Sequence, residues 1–169
     1  MLVEQFTQIF RDEHRQVRDT LLDLLEAFLA RDRRRITALL NQTAALTGPH
    51  FRYEEESMYP ALTVIFGDEY IAKLFSDHDR AIGVAKRLVE LAGQETLTNQ
   101  DVTEAVRLIR LLLPHVSDCD GLSIMVERLP EAQVQQILNT RDFTGQAGLN
   151  LLAWADQVRS RPAIMPNRA

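Results

Sequence analysis

Residues 3–30 read VEQFTQIFRDEHRQVRDTLLDLLEAFLA. Phe6, Phe10, His14, Val17, Leu21, Leu24 and Phe28 recur there at steps of three or four, so a helix gathers them on one face. A single polar residue, His14, interrupts that apolar stripe. The pattern repeats along the chain. A second helix is predicted from about Arg34 to Thr63, with Leu39, Thr43, Leu46, His50, Glu54, Met58 and Leu62 inward and Gly48-Pro49 as a kink or break. Ile65-Phe66-Gly67-Asp68 reads as a turn. A third helix, to about Ala92, turns Ile71, Leu74, Phe75, His78, Ile82, Ala85 and Val89 inward. After a polar loop, a fourth from about Val102 to Arg128 carries Ala105, Leu108, Leu112, His115, Cys119, Leu122 and Val126. Four long amphipathic helices with short loops specify an all-α, up-down-up-down four-helix bundle over residues 1–128. Residues 131–139 and 145–159 read as two shorter helices anchored by Trp154, a C-terminal extension over 129–160 packed on the bundle. RPAIMPNRA, residues 161–169, reads as a loose tail.

Composition narrows the function classes. Hydrophobic residues make up 46% and charged residues 25% of 169, enough for a packed core without staples. The net charge of -5 argues against nucleic acid as a partner. The one basic cluster, Arg33, Arg34 and Arg35, falls where a helix begins and reads as a solvated turn. No uncharged apolar stretch is long enough to span a membrane, and MLVEQFTQIFRDEHR turns charged too early for a signal peptide, so a cytoplasmic location is expected. Cys119 is the only cysteine, which rules out an internal disulfide. There is no nucleophile triad, glycine-rich phosphate loop or cysteine-pair metal motif.

The four histidines, His14, His50, His78 and His115, each fall on a different predicted helix, on its apolar stripe and near its middle. With about three of every seven positions inward, chance alone gives that in roughly 3% of cases. Four imidazoles facing one another in a core are hard to desolvate, and metal binding accounts for them economically. Carboxylates add to the set. In HFRYEEE, Glu54 follows His50 by four residues and projects with it. In HVSDCDG, Cys119 follows His115 at the same spacing, and Asp120 turns inward if Pro114 or Gly121 distorts the helix; which of the two faces the metal stays open. Six candidates, His14, His50, Glu54, His78, His115 and Asp120, are too many for one tetrahedral zinc. Mixed imidazole and carboxylate suit iron or manganese ahead of zinc, and two metals sharing carboxylates use the set well.

The series His14, His50-x-x-x-Glu54, His78, His115-x-x-x-x-Asp120 resembles the hemerythrin and hemerythrin-like (HHE cation-binding) family, together with FRDEH, EEESMYPAL and SDHD around it. The resemblance spans about residues 5–125. It implies a bundle holding two iron ions joined by an oxo or hydroxo bridge, with Glu54 and Asp120 bridging and the histidines as terminal ligands. The implied partner is a small diatomic or peroxidic ligand.

One departure counts against simple oxygen carriage. Oxygen-carrying hemerythrins have H-x-x-x-H on the third helix, and here Leu74 stands at the first of those positions. Four nitrogens, two bridging carboxylates and a solvent bridge fill about ten of twelve octahedral positions. Water, Tyr53 or Tyr59 could close the remainder. Tyr59, beside Pro60, is otherwise expected to pack, Cys119 to be an inert buried thiol, and Glu55 and Glu56 to be solvated. Asp77 and Asp79 are expected to point away from the site. The expected function is a non-haem di-iron protein that binds or reacts with dioxygen, peroxide or nitric oxide. The alternative is an iron- or oxygen-sensing or protein-interaction module without turnover. Whether the chain is an enzyme, and whether it joins a protein partner or a second copy, stays open.

Overall fold

In a computed structural model, which describes residues 1–167, the first apolar stripe forms α1, Leu2–Ala30. All seven of its predicted inward residues are buried. Arg31 closes α1 in the left-handed conformation, φ 53°, and Asp32 caps α2, Arg33–Tyr53, by accepting from Arg35 N–H at 3.0 Å. The expected break at Gly48-Pro49 does not occur: α2 runs through both residues. Gly48 serves another purpose, since the backbone of residues 149–151 lies directly against it.

A π-helical stretch, Glu54–Met58, follows α2 and leads into α3, Tyr59–Ala92. Its wide turn is closed by Tyr59 N–H donating to Glu54 O, five residues back, and Pro60, which has no N–H to donate, comes directly after it. α3 is interrupted at Gly67, whose φ of 77° and ψ of 166° are not helical. The chain reverses there, as expected of the 65–68 turn, and the second and third rods of the bundle are residues 33–66 and 68–92. Near the end of the third rod the inward residue is Leu88 rather than Val89, which is 45% exposed.

Thr98 and Asp101 form a reciprocal capping box at the start of α4, Asn99–Asp120. α4 does not reach Arg128 as expected: it ends at Asp120, and a turn at Gly121 leads to the short α5, Ser123–Val126. α6, Glu131–Ala147, extends past the predicted end at 139, because its stop signal is Gly148 in the left-handed conformation. Asn150 then caps α7, Leu151–Gln157, by accepting from Ala153 N–H. Among the described residues there is no strand, and no helix is long and apolar enough to cross a membrane.

α6 and α7 lie against α2, and Leu151 and Trp154 complete an apolar cluster with Phe51, Ala81 and Ile82. Residues 161–167, expected to be loose, follow α3 closely. Ile164 N–H donates to Asp79 O at 2.8 Å, and a side chain on Gly83 would overlap Ile164 O. Residues 168 and 169 of that expected tail lie outside the described residues.

Candidate metal centre

The bundle core is two apolar layers with a polar layer between them. Val17, Leu21, Leu88 and Leu108 belong to one, and Phe6, Phe10, Met58, Leu74 and Leu122 to the other. The four histidines lie at the junction and form two pairs. The rings of His14 and His50 are 4.6 Å apart, and those of His78 and His115 are 5.1 Å apart. Glu54 joins the pairs: its Oε1 is 3.4 Å from His50 Nε2 and its Oε2 is 3.2 Å from His78 Nε2.

Three histidines have their second ring nitrogen engaged outward. Nδ1 of His14 lies 2.8 Å from Phe10 O, that of His50 2.7 Å from Glu13 Oε2, and that of His78 2.9 Å from Glu55 Oε1. In the neutral imidazole, donation to a carbonyl or carboxylate fixes the tautomer and puts the lone pair on Nε2, the arrangement that ligating histidines adopt.

Several atoms at the centre have no hydrogen bond. Both oxygens of Glu54, Nδ1 of His115 and Oδ1 of Asp120 are buried without one. A buried carboxylate that has only histidine nitrogens at 3.2 and 3.4 Å beside it is costly, and a cation offsets that cost. One ligand atom each from His14, Glu54 and Cys119 lie within 4.8 Å of one another, a group that could hold a metal ion. Imidazole, carboxylate and thiol donors converging in a buried layer thus fit a cation.

The charge balance of the metal-free site points the same way. Burial pushes His50 down, but the charge of Glu54 and the hydrogen bond to Glu13 outweigh it and bring it to about 10. His78 is raised against its burial by Glu54 and Glu55. Burial pushes Glu54 up, and the charges and contacts of His50 and His78 take it well below the usual carboxylate range. His14 is lowered by burial and by the His50 charge, and His115 is lowered to about 4 by burial and by His78. His50 therefore carries a proton at neutral pH, and that proton supplies positive charge beside Glu54.

The structure gathers five of the six sequence-predicted residues, with His14, His50, Glu54 and His78 buried and His115 partly exposed, and sets Asp120 at their edge. Asp120 ends α4, with Oδ1 turned inward and Oδ2 3.7 Å from Arg11 Nε. Cys119 is closer to the centre than an inert thiol need be: its Sγ is 3.5 Å from Tyr59 Oη and 3.8 Å from His115 Nε2. Burial and the Glu54 charge hold it protonated. Tyr59, expected to pack, places its hydroxyl 2.9 Å from His78 Nε2. Tyr53 turns outward and donates to Glu13 at 2.8 Å. Leu74, at the departure from the family pattern, is buried in apolar surroundings.

Sequence reasoning misses the supporting residues. Glu55, expected to be solvated, is drawn inward by the π turn and accepts from His78 and from Arg159. Glu56 is exposed, as expected. Asp79 is buried and pairs with Arg159 and Arg161. Glu13 lies inside FRDEH, off the apolar stripe. Its link to Arg141 joins residues 128 apart, so no local pattern could mark it.

Three surface clefts touch residues of the centre. One of about 380 Å³ touches His115 and is edged by Lys73, Arg80 and Arg107. A second, of about 470 Å³, touches His50 and is lined by Glu13, Tyr53 and Arg141. A third, of about 480 Å³, touches His14 and Asp120 and is edged by Arg11, Arg15 and Arg18.

The family model described as the hemerythrin HHE cation binding domain matches residues 5–122, a span that contains all six candidate ligands and Cys119. Searches of curated proteins and of solved structures give no match.

Proposed function

The chain belongs to the hemerythrin HHE cation-binding domain family, and from that premise we propose that it is a non-haem di-iron protein whose centre takes up dioxygen, peroxide or nitric oxide. In this reading His14 and His50 would hold one metal and His78 and His115 the other, with Glu54 as a ligand available to both and Asp120 as a second carboxylate. The observation that carries the reading is Glu54 itself, fully buried, with one oxygen directed at each histidine pair. A carboxylate placed between two histidine pairs is suited to be shared by two metals.

When bound, iron supplies Lewis acidity and one-electron redox chemistry. The chain's own residues govern what meets it. Phe10, stacked on His50, and Phe51, stacked on His78 at 3.8 Å, keep water from the layer. Tyr59 offers a phenol oxygen on the His78 side, where Leu74 offers no donor. Burial and the neighbouring Cys119 and Glu54 raise its pKa well above the usual value, so it keeps its proton at neutral pH and can donate a hydrogen bond. The clefts at His14, His50 and His115 would admit small molecules.

Rapid mixing of the ferrous-loaded chain with dioxygen, hydrogen peroxide and nitric oxide tests this reading. At least one of the three is expected to change the absorption spectrum within seconds and to be bound or consumed beyond a free-iron control. No response to any of them from fully loaded protein would sink the reading and favour a sensing or interaction module.

A further inference from the structure

Two of the ligand histidines are held by carboxylates that are themselves held by arginines from outside the matched domain. His50 Nδ1 donates to Glu13 Oε2, and Glu13 Oε1 accepts from Arg141 Nε of α6 at 2.6 Å. His78 Nδ1 donates to Glu55 Oε1, and Glu55 accepts from Arg159 Nη2 at 2.8 Å and from Arg159 Nε at 3.0 Å. The side chain of Arg159, just past α7, is 2% exposed. Its Nη2 also donates to Asp79 Oδ1 at 2.6 Å, and its guanidinium lies over Trp154.

We propose that Arg141 and Arg159 are positioning residues of the metal centre, each orienting one histidine pair through one glutamate. The inference rests on the reading that His50 and His78 ligate metals. Docking the C-terminal segment does not require this arrangement. Asp79 alone would anchor Arg159, yet the fork spans Asp79 and Glu55 together. An unrelated element, α6, repeats the device on the other side of the layer. Both relays end on the Nδ1 of a histidine whose Nε2 faces Glu54. Each relay serves one histidine of a pair: His14 leans instead on the Phe10 carbonyl, and Nδ1 of His115 has no hydrogen bond. An outer-shell partner of this kind raises the basicity of the imidazole and fixes its plane.

The test is chelator-driven release of cobalt(II) from the full chain, with melting of the metal-free protein measured alongside. Wild type is expected to bind two ions and release them in two phases. Arg141→Gln should speed one phase by about 10–100-fold and Arg159→Gln the other, the usual cost of losing an outer-shell partner. Arg159→Lys, which keeps a positive charge between Glu55 and Asp79, guards against a folding failure and should give a smaller change in the same phase. Arg87→Gln, which breaks the ion pair with Glu104, is the control and should alter melting alone. If every variant speeds both phases equally, or none departs from the Arg87→Gln behaviour, the positioning role is overturned while the metal reading stands. If wild type binds fewer than two ions, the metal reading falls first.

Discussion

Glu54→Gln is expected to cost the protein both metals rather than one. Glutamine keeps the shape of the side chain but removes the only charge shared by the two histidine pairs. Outer-shell changes lower metal affinity by about 10–100-fold, and loss of a shared ligand should exceed the upper end of that range. The metal-free fold should survive. Once residue 54 is neutral, His50 gives up its proton more readily, and the new amide can hydrogen-bond an imidazole nitrogen. Metal analysis after dialysis, with melting of the metal-free form, separates the two effects; a variant that still held two ions would refute the bridging role.

The same substitution should change the dependence on pH. In the metal-free wild type His50 holds its proton up to about 10, above its ordinary 6.5, and a metal must displace that proton. Apparent affinity therefore rises with pH, about tenfold per unit for each proton released, until His50 deprotonates unaided. In Glu54→Gln, His50 keeps Glu13 as its one carboxylate partner, and the rise should end at a lower pH.

Gly48→Ala is expected to loosen the C-terminal extension. On an exposed helix this change would stabilise by up to about 1 kcal/mol through helix propensity. Here the added methyl would stand 2.5 Å from Asn150 C and 2.6 Å from Leu151 N, and would also meet Leu149 O. All three are backbone atoms, so no side-chain rotation relieves the clash. Overpacking of this kind costs about 1–3 kcal/mol, which outweighs the propensity gain. For a chain of this size each kcal/mol lowers the melting temperature by about 2–4 °C. Limited proteolysis should cut between the bundle and α6 sooner than in wild type. Metal release should also quicken, because Arg141 and Arg159 move with the extension although no ligand has changed. A raised melting temperature would mean that propensity governs the position and the close approach does not.

The parts of this molecule that obey helical periodicity are legible in the amino-acid sequence alone. His14, His50, His78 and His115 stand out because each replaces an apolar residue on a stripe with a 3.6-residue period. Glu54 follows from its four-residue step after His50. The π turn is not legible, because an extra residue in one helical turn depends on what packs around it. It is the π turn that draws Glu55 inward. Arg141 and Arg159 are hidden for a different reason. They meet their carboxylates 128 and 104 residues away in sequence, and pairing at such distance leaves no local trace. Gly48 reads as a breaker because a glycine next to proline usually is one. Its use as a seat for another backbone depends on the extension.

The central claim, a dinuclear centre spanned by Glu54, is tested most directly by counting iron in the full chain after anaerobic loading with ferrous ion and removal of excess. Two irons per chain are expected, with Glu54→Gln retaining almost none. One iron or none in the wild type would contradict a dinuclear centre and leave the buried histidine layer without the metals that its geometry fits.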